Sequence, residues 1–414
     1  APFDARNAWL VLSAAIAMVA LVDGILAPSP LRLRVSRTAP AVLALGQQAR
    51  LEWQVHNASG AARSVAVADD LTPSLHGGTR RFRVRIPAGG DAVVGTDITP
   101  ARRGEFVLRE IVVRVDGPLG LVARQGRRDL PDVVRIVPSF ASRAEAELRI
   151  DKARILEVGL RSAKGRGGGT EFDQLREYTV DDEFRRVDWA ATARTGKPIV
   201  RTYRAERNQT VINLLDNGRV MAASVSGVPR VEHAMDSVMM LTTVATRLGD
   251  RCGLVAFDRD VRAVVAPGNS RGQFSRVVAA MFDLQPVLSE SDYRGAFTET
   301  LVRFRRRALL VIHTDLVEQA VGESLLPALP LLLRRHLVIV AAAQDPTVVA
   351  WVTSPVESAE DAYRRAAAIT AIDERRRAVS RLRGLGATVV DAPPGRLAPN
   401  LADVYLRLKA TSAL

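Results

Sequence analysis

Five times between residues 210 and 391, an apolar run that reads as a strand ends at or just before an aspartate. The runs are 210–215, 252–257, 308–314, 337–343 and 387–390, and the acids are Asp216, Asp258, Asp315, Asp345 and Asp391. Strands that are apolar throughout are buried on both faces. Helical patterns separate them. Val231, Met235, Val238, Thr242 and Ala245 mark one helix face, closed by Gly249; Phe274, Val277, Val278, Met281 and Leu284 mark another. A long charged helix is expected over 359–384 and a last one over 398–410. Strands alternating with helices predict an α/β doubly wound domain over 210–414, its parallel sheet covered on both sides. In such sheets ligands bind outside the carboxyl ends of the strands, so the five aspartates share one rim. Oxygen donors suit Mg2+ or Ca2+, which makes Asp216 and Asp315 candidate metal ligands. Asp also caps helices and opens turns, the preferred reading for Asp258, Asp345 and Asp391. His233 falls on a helix and His313 within a strand, with no metal-ligand spacing; both are read as structural.

Upstream, the period changes to two. Residues 31–35, 50–55 and 81–86 alternate apolar and polar, 106–115 less strictly, and the clusters 57–60 and 87–90 read as turns. An all-β sandwich domain is expected over 31–140, with a polar face made largely of arginine and nothing catalytic in it.

Residues 8–27 form an apolar stretch, interrupted by Asp23, that is long enough to span a membrane as a helix. Trp9 lies near one end, as interface anchors do. Arg32, Arg34 and Arg37 follow the stretch, while Arg6 before it is offset by Asp4. The positive-inside rule then places the soluble domains in the cytoplasm. A signal-peptide core is the competing reading, but no small-x-small cleavage site follows. The chain begins with Ala rather than Met, which leaves room for upstream sequence.

The net charge is +13, from 58 Lys and Arg against 45 Asp and Glu, and all but four of the cations are arginine. No long basic block occurs, and aromatics are only 5% of the chain, so stacking platforms for single strands are scarce. Nucleic acid is not expected as a partner; a surface near anionic lipid fits better. The single cysteine, Cys252, excludes a disulfide framework and a cysteine-based zinc site.

Residues 141–209 read as a connector followed by an unusual segment. The stretch 141–160 is charged and helix-compatible. The glycine-rich stretch 164–170 lacks the Lys-Ser/Thr of a phosphate loop and reads as a flexible loop. Beyond it, acids and arginines alternate with aromatics: Glu171, Arg176, Tyr178, Asp182, Arg185, Arg186, Asp188, Trp189, Arg194, Arg201 and Glu206. Arginine pairs carboxylates through a two-pronged fork and stacks on aromatic rings. The set is read as a structural network or a partner-docking surface. Acid–base catalysis by Glu171 and Asp182 is the remaining alternative.

The motifs at 169–172, 175–178, 185–189 and 193–196, with 249–257, 291–293 and 314–316, resemble the signature of the MoxR-associated "domain of unknown function fifty-eight" family. The stretches 102–106 and 116–121 continue the resemblance, which covers nearly the whole chain. Two departures stand out: such proteins usually open with two membrane helices and only the second is present here, and Asp181 replaces a usual glycine. The resemblance implies a von Willebrand factor A-like domain, which binds a divalent ion through a D-x-S-x-S motif, a threonine and a later Asp. Asp216 matches the first acid and Asp315 the last, while Gly218 and Val220 occupy the serine positions. It also implies a partner, a MoxR-type AAA+ ATPase, in chaperone-like assembly or envelope and stress functions. The expected function is therefore a membrane-anchored, non-enzymatic adaptor. The alternatives are a divalent-metal-dependent receptor for protein ligands and a hydrolase using the central carboxylates.

Overall fold

The computed structural model describes residues 5–163, 171–180, 182, 184–204 and 209–411, without the side chains of 5–8, 156–163, 171–173, 186 and 202–204. The chain divides into two compact units, 1–139 and 140–414.

The first unit opens with α1 (Ala5–Leu26), a helix long and apolar enough to cross a membrane. Eight strands follow: β1 (Leu33–Thr38), β2 (Val42–Ala44), β3 (Ala49–Asn57), β4 (Arg63–Asp69), β5 (Arg81–Ile86), β6 (Asp91–Ile98), β7 (Gly104–Asp116) and β8 (Ala123–Val137). They form a three-stranded sheet, β1-β3-β6, and a five-stranded sheet, β2-β8-β7-β4-β5, antiparallel except for the β2–β8 pair. Leu51 and Trp53 of β3 pack against Leu108, Val134 and Ile136 of β7 and β8, so the two inner faces meet in one core. Alternation produces this directly, because successive side chains of a strand point to opposite faces. Two arginines of this unit, Arg37 and Arg103, depart from the outward pattern. Arg37 is buried and its Nη1 donates to both oxygens of Asp69 at 2.7 and 2.9 Å, while the Trp53 indole donates to Asp69 Oδ2 at 2.5 Å. The buried charge is offset because it is paired with Asp69 and Nη2 also donates to the Leu108 carbonyl at 3.0 Å, although Nε has no hydrogen-bond acceptor.

The second unit begins with α2 (Arg143–Ala163). Its sequence reads as a connector, but Ala146 and Ile150 are buried in the core of this unit, so its first turns belong to the α/β fold. Next come β9 (Glu171–Glu177), α3 (Trp189–Thr195) and β10 (Ile199–Arg204), with β9 and β10 paired antiparallel. Then follow β11 (Thr210–Asp216), α4 (Arg219–Ala222), the two-residue strands β12 (Ser224–Val225) and β13 (Val228–Pro229), α5 (Arg230–Arg247), β14 (Arg251–Phe257), β15 (Val261–Gly268) and α6 (Gln273–Phe282). The chain continues through α7 (Tyr293–Arg303), β16 (Leu309–His313), α8 (Glu318–Ala320), a π-turn, α9 (Leu326–Leu333) and β17 (Leu337–Ala343). It closes with α10 (Pro346–Thr353), α11 (Ala359–Gly384), β18 (Thr388–Ala392) and α12 (Leu397–Ala410).

The main sheet has the order β15-β14-β11-β16-β17-β18, parallel throughout except for the edge strand β15. Ile212 and Leu214 face α7, α9 and α11; Val211 and Leu215 face α2, α5, α6 and α12. Both sets are buried, which is why these strands read as unbroken apolar runs. The chain leaves β11 outward to β14 and β15, then returns to β16 on the other side. The order reverses between β11 and β16, and the carboxyl ends of those two strands frame the crevice where such folds bind ligands.

Candidate functional site at the carboxyl rim of the sheet

Asp216 ends β11 and its side chain is fully buried. Oδ1 accepts the Gly218 N–H at 2.9 Å and the Ser291 hydroxyl at 2.5 Å; Oδ2 accepts the hydroxyls of Tyr293 and Thr314, each at 2.6 Å. Ser291 and Tyr293 arrive on the loop and first turn of α7, whose N-cap is Asp292. Thr314 follows β16 directly. Burial and the neighbouring Asp216 charge push the Tyr293 phenol well above its ordinary range, so it stays a donor.

Asp315 lies on the same rim but in another network. Its Oδ1 accepts Arg375 Nη1 at 2.8 Å, and Arg230 Nη1 lies 3.1 Å from its Oδ2. Arg375, from the middle of α11, also binds Asp391 at 2.8 Å and the Ala343 carbonyl at 3.1 Å. Burial opposes its charge, and the two carboxylates more than restore it. A cleft of about 180 Å3 opens beside Asp315, Arg230 and Arg375.

The arrangement does not fit a divalent cation. A cation needs several free oxygen ligands converging on one point. The two oxygens of Asp216 already accept four donors, and Asp315 faces two guanidinium groups. A Cβ at residue 218 would lie 2.1 Å from Ser291 Oγ, so the Ser291 hydroxyl occupies the space a serine there would need. Among the described residues no group of three or more His, Cys, Asp or Glu is placed to hold a metal.

The other rim acids are engaged locally. Asp258 takes a two-pronged contact from Arg262 Nε, at 2.9 and 2.7 Å; burial raises its pKa, but Arg262 and the backbone N–H of Asp260 outweigh that and hold it below the usual range. Asp345 caps α10 through the Thr347 N–H at 2.8 Å. His313 is buried beneath the rim, its Nε2 2.9 Å from Asn213 Oδ1, and burial lowers its pKa to about 3, so the ring is neutral. His233 sits on α5 with Nε2 3.2 Å from the Val225 carbonyl.

The alternating acids and arginines of the central segment come together on the β9–β10 hairpin. Arg176 grips Asp182 with both Nη atoms, the Nη1 contact being 2.7 Å, and Thr179 donates to the same carboxylate through N–H and hydroxyl, each at 2.9 Å. Arg176 foremost holds the Asp182 carboxyl well below the usual range. Asp188 caps α3, accepting the Ala190 and Ala191 N–H groups at 3.0 Å, and receives Arg201 Nε at 2.7 Å. Arg201, then the α3 amides, hold its carboxyl down against the effect of burial. These two pairs fold the 178–198 segment back on the hairpin, where the Tyr178 N–H donates to the Pro198 carbonyl.

The result is an exposed apolar edge. Phe184 and Trp189 are 67% and 61% exposed, stacked edge to face with centroids 5.5 Å apart. Val180 stands 94% exposed. Arg185 is exposed, and Arg194 Nε folds back to the Ala190 carbonyl at 3.1 Å. The side chains of Glu171 and Arg186, and Glu206 and the loop 164–170 entirely, lie outside the described residues.

In the sequence Ser291, Tyr293 and Thr314 stand out only as parts of the signature stretches, Arg375 only as part of the basic run 375–377, and Arg230 not at all. A signal for α7 was present: Asp292 as cap, then Tyr293, Ala296, Phe297 and Thr300 at helical spacing. No local signal pointed to Arg375, because its partners lie in distant strands.

Residues 174–353 match the family model described as "Protein of unknown function DUF58". No curated protein matches the chain. Among solved structures, the chain is similar to the CARDB domain of a Pyrococcus furiosus protein, at 21% identity over 25% of this chain and 87% of that one, with a TM-score of 0.19. It is also similar to Salmonella alpha-2-macroglobulin reacted with methylamine, at 19% identity over 26% of this chain and 7% of that one, with a TM-score of 0.20.

Proposed function

We propose that the chain is a membrane-tethered, non-enzymatic adaptor whose hairpin edge docks a MoxR-type AAA+ ATPase. The observation that carries the reading is the exposed Phe184–Trp189 pair, fixed from beneath by the Asp188 cap and the Asp188–Arg201 ion pair. Aromatic and arginine side chains dominate binding hot spots, and a large apolar surface left in water by a rigid frame marks an interaction site. Of the two carboxylates that a hydrolase would use, Asp182 is a poor acid or base in this setting, held ionised by Arg176; the Glu171 side chain lies outside the described residues. A general acid or base works best with a pKa near the operating pH.

The reading takes the second unit as a von Willebrand factor A-like domain. Its support is the strand order, with an antiparallel edge and the reversal between β11 and β16, and Asp216 and Asp315 at that reversal. In this domain hydroxyls and arginines would do the work given to a metal elsewhere, and the ATPase would supply nucleotide hydrolysis. The arginine bias after α1 supports a cytoplasmic position for both units.

The test is a tagged pull-down from gently solubilised membranes, with and without ATP, comparing the native chain with Trp189→Ala. Nucleotide-dependent recovery of an AAA+ ATPase, lost in the variant, is the expected result. Recovery of no ATPase, or equal recovery by the variant, would end the docking proposal.

A further inference from the structure

α1 carries an aspartate where a membrane helix should have none, and the fold explains it. Asp23 lies in the last turns of α1 and is fully buried. Its carboxylate accepts three backbone N–H groups from the loop joining β7 to β8: Leu119 at 2.7 Å, Leu121 at 2.8 Å and Val122 at 2.9 Å. The loop closes so tightly that a Cβ on Gly117 would come within 2.4 Å of the carboxylate, and one on Gly24 within 3.3 Å of Val122.

The remaining amides of the loop are also occupied. The Gly117 N–H donates to the Val122 carbonyl at 2.7 Å and the Gly120 N–H to the Gly117 carbonyl at 3.0 Å. Residue 118 is proline and has no N–H. Every N–H from 117 to 122 therefore has an acceptor within the protein. An exposed loop in water has no need of this; a loop among lipids does, because nothing there can replace water as a partner. The side chains point the same way, since Leu119 and Leu121 are 62% and 57% exposed, and Ile25 and Leu26 at the end of α1 are 70% and 58% exposed.

Depth supplies the second argument. Trp9, fully available to an interface, and Asp23 are about 21 Å apart along the helix at 1.5 Å per residue, against a hydrocarbon core of about 30 Å. With Trp9 at one boundary, Asp23 and the loop wrapped round it fall short of the other. Arginines stand next along the chain: Arg124 and Arg128 of β8 reach the carbonyls of Ala27 and Pro30, where headgroups would begin.

We propose that the 117–122 loop is a membrane wedge: it enters the bilayer beside α1, with Leu119 and Leu121 among the lipids and the arginines at the headgroups. The inference rests on α1 spanning the bilayer. The first unit is then seated on the membrane surface rather than swinging from a tether.

The test uses the full chain reconstituted in phosphatidylcholine–phosphatidylglycerol vesicles. Single cysteines at Ala17, Leu121 and Ala101 are labelled with an environment-sensitive dye and exposed to nitroxide-bearing lipids. Cys252 stays unlabelled, because it is buried and its thiol pKa is pushed up to about 11 by burial. Ala101 precedes β7, at the end of that strand opposite the loop. The expected result is quenching at 17 and 121, strongest at 121 for a shallow nitroxide, and none at 101. Quenching at 17 with none at 121 would overturn the wedge and leave the spanning helix standing. A position 121 shielded from soluble iodide but not reached by lipid nitroxides would mean a protein covers the loop, which also overturns it. Absence of quenching at 17 would remove the spanning helix and the wedge together.

Discussion

Gly218 and Ser291 stand so close that a Cβ on the glycine would lie 2.1 Å from the serine Oγ. That contact places the Ser291 hydroxyl on Asp216 and completes the ring of donors at the reversal point of the sheet. Gly218→Ala should therefore cost about 1–3 kcal/mol through overpacking, and Ser291→Ala about 1 kcal/mol through the lost hydrogen bond. The double variant should cost less than the sum, since removing the hydroxyl relieves the closest contact of the methyl and leaves the Ser289 carbonyl at 3.0 Å. Chemical denaturation of the four proteins measures the coupling; strictly additive losses would refute the steric account.

Asp216 acts as an acceptor for protein donors rather than for an ion. Asp216→Ala leaves three hydroxyls and one N–H without their partner and should cost about 3 kcal/mol or more. Millimolar Mg2+ or Ca2+ should leave the Tm of the native chain unchanged. A Tm gain on adding metal that disappears in Asp216→Ala would instead favour the metal-dependent receptor.

Arg375 joins α11 to the ends of three strands through Asp315, Asp391 and the Ala343 carbonyl. Arg375→Ala should cost about 3–5 kcal/mol, because it leaves two carboxylates near each other without a shared cation. Asp391→Asn in that background should recover part of the loss. Arg375→Lys should also destabilise, since an ammonium cannot fork between separated acceptors. Thermal and urea unfolding of the series decide the matter; a lysine variant as stable as the native chain would show that charge alone suffices.

His313 gives the fold a pH dependence. Its folded pKa, about 3, lies below the ordinary histidine value. The unfolded chain therefore takes up the proton first as pH falls. The neutral-ring contribution is intact above the ordinary histidine pKa and is progressively lost as pH drops toward the folded value, amounting to about 2 kcal/mol by pH 5. His313→Gln should flatten the stability profile between pH 7 and pH 4. A native profile with the same slope as the variant would assign the acid sensitivity to other groups.

Much of the second unit was written in local pattern. The helix expected over 359–384 is α11, Ala359–Gly384, and the run 210–215 is β11. A strand buried on both faces is apolar at nearly every position, with Asn213 and His313 as polar exceptions that hydrogen-bond each other, and that signal survives in one dimension. The edge strand β15 escaped notice because it is only half-buried, so its sequence mixes Arg262 among Val261, Val264 and Val265. β2, β4, β6 and β8 are not among the predicted runs; β2 has only three residues, and much of β8 is exposed or half-buried, which dilutes its alternation.

The candidate site divides along the same line. Sequence alone determined which residue types were available: the rim aspartates, the acid–arginine alternation around Trp189, and an apolar helix with one misplaced acid. Only the tertiary structure decided what each does, because hydrogen-bond donors and counter-charges come from segments far apart in the chain. Asp216 is claimed by hydroxyls 75 to 98 residues away. Asp315 is claimed by an arginine 60 residues on. Asp23 is claimed by amides 96 to 99 residues on. A carboxylate's character depends on the groups within about 4 Å of it, and folding alone brings those groups there.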